Sequence, residues 1–167
     1  SPSYDVDNKY SMPFTVGTSS FAVNSKKVDL AKFKSLYDLA NPEFKGRVLL
    51  LNDMRAVLGM GLKMKGYSVN DTNESHIKEA YDVLQSKIVP NVKGYDTEAT
   101  TQALLSGEVD IAQCWDGVAY MAAAENPDIK YVFLKEGANS WSDVFTLLKG
   151  SKNVEAAHKF INYILRP

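Results

Sequence analysis

The chain of 167 residues is 45% hydrophobic and 23% charged, with a formal net charge of −1. That is ordinary globular composition, long enough for one buried core and too near neutral to draw nucleic acid or an anionic membrane by bulk field. The single cysteine, Cys114, excludes an intrachain disulfide and any Cys-x-x-Cys metal or redox motif. No apolar run reaches the ~20 residues that span a bilayer. No signal peptide is recognisable. The polar start at Ser1-Pro2-Ser3, and the stop at Arg166-Pro167 just after a strong apolar helix, are expected of an excised piece.

Residues 1–12 show no clear period. Residues 13–24 read as a long strand with a bend or close backbone approach at Gly17. Ser35 caps a short helix over 36–40, ended by Asn41-Pro42. The continuous apolar run Val48-Leu49-Leu50-Leu51 suits a strand buried on both faces. Asn52-Asp53 opens a helix to about Lys65, with Val57, Met60, Gly61 and Met64 at helical spacing and Gly66 as its stop. A second helix spans about 74–87, with Ile77, Ala80, Tyr81 and Leu84 on one face, and Pro90 ends it. A strand over 92–95 leads to a helix capped by Asp96 or Thr97 and running to Leu105. A strand over 109–114 precedes an alanine-rich helix over 116–125. Strands follow over 129–134 and 144–148, and Asn153 caps a last helix to about Leu165.

Strands alternating with helical patterns predict an α/β fold with helices on both faces of the sheet. Ligands of open α/β sheets sit beyond the carboxyl ends of strands. Three strand ends present side chains there: Asp53 after 48–51, Thr97 after 92–95 and Trp115 after 109–114. Both tryptophans, Trp115 and Trp141, lie within residues 109–143, each with a carboxylate one or two residues on. Aromatic faces beside anions suit a slender cation. Core tryptophans with capping aspartates are the other reading of the same pattern. Asp143 lies two residues after Trp141, on the same side of an extended strand. Asp116 reads as a helix cap, and Asp53 either caps its helix or reverses the local sign of a helix N-terminus that otherwise favours anions.

Covalent chemistry finds little support. Cys114 lies inside an apolar strand, and His76 and His158 fall on polar helical faces, so no base is placed to activate the thiol. Two isolated histidines and one cysteine have no metal-ligand spacing. Gly59-Met60-Gly61 is inside a helix and is no phosphate loop. The expectation is no enzyme, no metal and no cofactor.

At Trp115-Asp116-Gly117 and Trp141-Ser142-Asp143 the sequence resembles the periplasmic spermidine/putrescine-binding proteins of bacterial ABC transporters. Tyr10-Ser11-Met12-Pro13-Phe14, Pro42-Glu43-Phe44-Lys45-Gly46, Leu51-Asn52-Asp53-Met54-Arg55, Gly107-Glu108-Val109-Asp110, Lys135-Glu136-Gly137 and the ending from Phe160 to Pro167 extend the match over nearly the whole chain. It covers only part of the family's length. The resemblance implies one lobe of the periplasmic-binding-protein type II fold, with a mostly parallel central sheet and helices on both faces. It makes 1–167 a single α/β lobe, with 17–143 the ligand-binding lobe proper. Residues 10–16 and 144–148 become hinge or crossover strands, and 153–165 a helix that returns to the missing N-terminal lobe.

The same resemblance assigns roles. Asp53 holds one amine of a polyamine, Trp115 and Trp141 wall its methylenes, Asp143 pairs with another amine, and Thr97 offers a hydroxyl. One position departs: where the family carries a Glu that contacts an amine, this chain has Ala56, one turn from Asp53 on the same helix face, so this family position is weakened: affinity falls, amine preference shifts, or the other lobe compensates. The implied function is non-catalytic capture of spermidine or putrescine outside the cytoplasmic membrane, in the periplasm or on a membrane anchor, for delivery to permease subunits. The alternative is a structural module with little ligand binding that forms a homodimer through its exposed cleft face.

Overall fold

The computed structural model describes residues 4–166. Ser1-Pro2-Ser3 and Pro167, which figured in the sequence reading, lie outside the described residues. In chain order the elements are β1 (Ser11–Asn24), β2 (Val48–Leu50), α1 (Met54–Met64), α2 (Glu74–Val83), β3 (Val92–Tyr95), α3 (Thr100–Leu105), β4 (Ile111–Trp115), α4 (Asp116–Glu125), β5 (Ile129–Val132), β6 (Asn139–Thr146) and α5 (Val154–Ile164). Residues 18–139 form one compact unit, and 4–17 with 140–166 form another.

In the unit of residues 18–139 the strand order is β3-β2-β4-β1-β5. β2 is parallel to β3 and to β4, whereas β1 is antiparallel to β4 and β5. Four strands therefore share one direction, each joined to the next through helix, as parallel neighbours require. β1 is reached by no such crossover and lies inverted between β4 and β5, so the sheet is mixed.

Period-two alternation divides the strand residues between two cores. Phe21, Val23, Val48, Leu50 and Ile111 join Met60 and Met64 of α1 and Leu84 and Ile88 beyond α2. Their neighbours Ala22, Leu49, Ala112 and Cys114 join Ala103 and Leu104 of α3 and Ala119 and Ala122 of α4. Helices thus cover both faces, and the small residues of α4 set it close to the sheet. Gly61 does the same between α1 and α2, since a Cβ there would lie 2.8 Å from the Ala80 carbonyl oxygen and from Leu84 Cδ1.

Local chemistry explains most element ends. Ser35 closes a capping box with Asp38 on the 3₁₀ turn Leu36–Ala40. Gly66, at φ +81°, stops α1 in the left-handed region that glycine reaches without strain. Two helix boundaries move from expectation. The helix expected over 74–87 stops as an α-helix at Val83 and continues as a π-turn over Leu84–Ile88. Pro90 has no amide to continue the ladder, and the Ser86 hydroxyl donates to the Asp82 carbonyl at 2.7 Å, which loosens the last turn. The helix expected from Asp96 or Thr97 begins at Thr100, because Asp96 Oδ1 accepts from the Glu98 and Ala99 amides at 2.8 and 2.7 Å and forms a side-chain turn first.

In the other unit, β6 pairs with β1, and Ser142 Oγ donates to the Thr15 carbonyl at 3.3 Å. β6 begins at Asn139 rather than 144, so Trp141 and Asp143 lie within the strand. Phe145 packs tilted against Phe14, with centroids 4.7 Å apart, and meets Phe160 of α5 edge-on. The buried Asp5 organises the loop before β1, accepting from the amides of Lys9, Tyr10 and Ser11 and from Ser11 Oγ at 2.6 Å. Those donors, the Ser11 hydroxyl foremost, hold its carboxyl below the usual range.

Candidate functional site

Because β2, β3 and β4 run the same way, their carboxyl ends share one edge of the sheet. Asp53, Thr97 and Trp115 all lie at that edge. Asp53 is the N-cap of α1, with extended backbone (φ −138°, ψ 110°), and its Oδ1 accepts from the Ala56 amide at 3.0 Å. The side chain is exposed, and among the described residues nothing else binds its carboxylate. The capping role and a free carboxylate oxygen thus coexist, and both readings of Asp53 survive. Thr97 sits half-buried in the Asp96 turn. Trp115 ends β4 and caps α4 with its backbone, its side chain 38% exposed.

Gln113 holds this edge in register, a role the sequence reading missed. It is a buried amide in an otherwise apolar strand. Its Oε1 accepts from the Leu51 amide at 3.3 Å, and its Nε2 donates to the Ala56 carbonyl at 3.2 Å. The two bonds clamp the end of β2 and the first turn of α1, the segments that flank Asp53. The lone polar residue in Ile111-Ala112-Gln113-Cys114 was the available signal, since a buried amide must find partners.

Asp116 is not the N-cap of α4, which is Trp115, but the first residue of the helix. Its Oδ2 accepts from the Thr18 amide at 2.7 Å and from Thr18 Oγ1 at 3.1 Å, and its Oδ1 accepts from the Gly117 amide at 2.8 Å. The Tyr131 hydroxyl donates to the Thr18 carbonyl at 3.0 Å, and burial pushes that phenol up to about 12. The group fastens the start of the Thr18–Asn24 segment to α4 and β5.

Ala56 is 8% exposed. Its methyl lines a cavity of about 20 Å³ together with Ser19, Lys63, Gln113 and Asn139, room for about one water. Lys63 Nζ is tied to the Glu136 carbonyl at 3.1 Å.

Trp141 and Asp143 belong to the other unit, two residues apart on β6 and so on one side of it. Trp141 is half-buried, and its indole N–H is buried without a partner among the described residues. Asp143 is exposed.

Cys114 is fully buried, and desolvation pushes its thiol up to about 12, far from a thiolate near neutrality. His76 is engaged elsewhere, 2.8 Å from Asp71 and stacked on Tyr67. Among the described residues no three His, Cys, Asp or Glu side chains stand where they could hold a metal ion. No described helix is long and apolar enough to cross a membrane.

Comparison with known proteins places this geometry. A family model for bacterial extracellular solute-binding protein matches residues 1–167. The spermidine/putrescine-binding periplasmic protein of Escherichia coli is 37% identical over 164 residues, 98% of this chain and 47% of that protein. A Listeria monocytogenes structure named for spermidine/putrescine ABC transport superposes with a TM-score of 0.91 at 39% identity, covering 99% of this chain and 51% of that one. The Tp0655 (TpPotD) lipoprotein of Treponema pallidum superposes with a TM-score of 0.87 at 27% identity, covering 98% and 52%. The chain spans about half the length of the curated relatives it matches.

Proposed function

Because the chain belongs to the bacterial extracellular solute-binding proteins, we propose that it is the C-terminal, ligand-holding lobe of a polyamine-binding protein. It does no covalent chemistry. The whole protein works outside the cytoplasmic membrane, closes a missing N-terminal lobe over spermidine or putrescine, and hands the ligand to ABC permease subunits. The E. coli relative carries both polyamines in its name, and the T. pallidum relative is a lipoprotein, which supports this setting.

One observation carries the reading. An exposed carboxylate with an uncommitted oxygen, Asp53, and an exposed indole, Trp115, lie at the same sheet edge. A polyamine needs both. Burying its methylenes on an aromatic wall contributes about 0.8 kcal/mol each, and an ammonium over the ring adds about 0.5–2 kcal/mol. The carboxylate offsets the cost of desolvating the ammonium. Thr97 supplies a hydroxyl at the same edge. Trp141 and Asp143 repeat the aromatic-plus-anion pairing on β6, and Ala56 leaves the site one anion short of the family pattern.

Calorimetric titration of spermidine and putrescine into the 167-residue chain tests the proposal, with Trp115 fluorescence followed in a Trp141→Phe background. Weak, saturable binding with a Trp115 response is expected, because one lobe supplies only part of the walls and counter-charges. A Kd below about 1 μM, equivalent to about −8.2 kcal/mol, would contradict the half-site reading. A silent Trp115 would contradict its role as a wall.

A second reading rests on α5, none of whose residues is buried and whose Phe160, Tyr163 and Ile164 are exposed. Such a face favours self-association. On this reading the chain sediments as a homodimer and polyamines leave its melting temperature unchanged.

A further inference from the structure

We propose that the groove beside Asp53 is an extension of the binding site that takes the apolar arm of an alkyl- or arylalkylammonium ligand whose charged end rests on Asp53. The proposal rests on the preceding reading only for the anchoring role of that carboxylate. The groove encloses about 340 Å³, the lower end of the range for small-molecule sites. It lies wholly within the unit of residues 18–139. Met54 and Val57 of α1, Tyr81 and Leu84 from the α2 side, and Tyr95 at the end of β3 line it together with Asp53.

Three features point to that occupant. First, its walls carry large apolar side chains left in solvent: Met54 is 75% exposed, Tyr81 53% and Tyr95 47%. Soluble domains rarely leave such a cluster uncovered without a use. Tyr81 is the clearest case: helical spacing sets it on the same face as Ala80 and Leu84, which are buried, yet it stays 53% exposed beside the groove. Second, the charge is one-sided. Asp53 is the sole ionisable acid or base other than tyrosine among the lining residues, with no lysine or arginine to repel a cation or pair with the acid. Third, Asp53 follows the end of β2 and Tyr95 ends its parallel neighbour β3, and both line the groove, so a ligand held at the carboxylate has an aromatic wall in the same groove. A plain diamine offers the groove only methylenes, whereas an aryl-substituted amine fills it.

The test is NMR of the 167-residue chain with methyl-labelled methionine, titrated with 4-phenylbutylamine, with putrescine, and with 4-phenylbutanol, which has the same arm and no charge. Saturable movement of the Met54 methyl is expected with 4-phenylbutylamine, with the alcohol binding at least tenfold more weakly. Tyr95→Ala should weaken 4-phenylbutylamine at least fivefold more than putrescine, and Tyr81→Ala, on an exposed helical face, serves as the second wall variant should Tyr95→Ala fold poorly. The proposal is overturned if the Met54 methyl does not respond, if the alcohol binds as well as the amine, or if the wall variants weaken both amines by the same factor. The two readings fail separately. Binding of putrescine together with a Met54 methyl unmoved by 4-phenylbutylamine removes the groove and keeps polyamine binding, whereas a methyl moved by 4-phenylbutylamine without putrescine binding keeps the groove and removes polyamine binding.

Discussion

Asp53 is asked to do two jobs, and two substitutions separate them. Its Oδ1 accepts the Ala56 amide at 3.0 Å, a capping bond that Asn reproduces and Ala does not. Loss of such a cap costs about 1 kcal/mol, and for a chain of this size about 1 kcal/mol lowers Tm by roughly 2–4 °C. Asp53→Ala should therefore melt about 3 °C lower, while Asp53→Asn stays within about 1 °C, by the same cap and Tm relations. Both remove the charge. At 4 Å a unit pair is worth about 1 kcal/mol in water and about 4 kcal/mol at the effective dielectric of a protein surface. For an exposed carboxylate the lower part of that range applies, so spermidine affinity should fall roughly 5–30-fold in both variants, at about 1.4 kcal/mol per tenfold. The loss should shrink as salt rises, because an exposed pair is screened. Thermal melts and calorimetry at two ionic strengths measure all of this. Equal melting temperatures for the two variants would refute the cap. Spermidine affinity unchanged in Asp53→Asn would refute the ammonium contact and reduce Asp53 to a cap alone.

Gly61→Ala should destabilise the chain by about 1–3 kcal/mol, the usual cost of overpacking, because the added methyl meets the Ala80 carbonyl oxygen at 2.8 Å. Chemical denaturation reads this as a lower midpoint, and an unchanged midpoint would mean that α1 and α2 separate freely. Asp5 has a depressed carboxyl pKa in the folded chain, so its contribution to stability is present above the unfolded value and is lost as pH falls through the folded one. Ser11→Ala removes the foremost cause and should move the Asp5 titration upward in carboxyl-detected NMR; an unmoved titration would contradict the role of the Ser11 hydroxyl. Ala56→Glu should raise spermidine affinity several-fold, about 1 kcal/mol for an exposed ion pair. Ala56 is 8% exposed and its cavity holds about one water, so the gain requires the new carboxylate to turn out of that cavity. Unchanged or lower affinity, measured by calorimetry, would show that the position does not face the ligand.

What could be read in the sequence was local. The apolar run 48–51, the caps at Ser35 and Asp53, the stop at Gly66 and the span of α4 depend on residues within a few positions of one another, and the structure has them as expected. The inversion of β1 was not legible, because strand direction depends on pairing with β4, nearly a hundred positions away, and alternation looks the same in either direction. Nor was the fate of α2, where Ser86 and Pro90 act together on one turn. The carboxylates show the limit most sharply. Asp53 and Asp116 look alike in sequence, each at the junction of a strand and a helix, and both read as caps. The structure commits both oxygens of Asp116 to three donors, two of them from Thr18, and commits only one oxygen of Asp53. A carboxylate can accept about four hydrogen bonds, so the number already taken separates an acid that fastens the fold from one with capacity for a cation. Asp116, three of its acceptor sites filled, has little left for a ligand although it adjoins Trp115. Asp53, with an open oxygen at an exposed strand end, is the acid at this edge whose replacement should weaken binding without loosening the sheet.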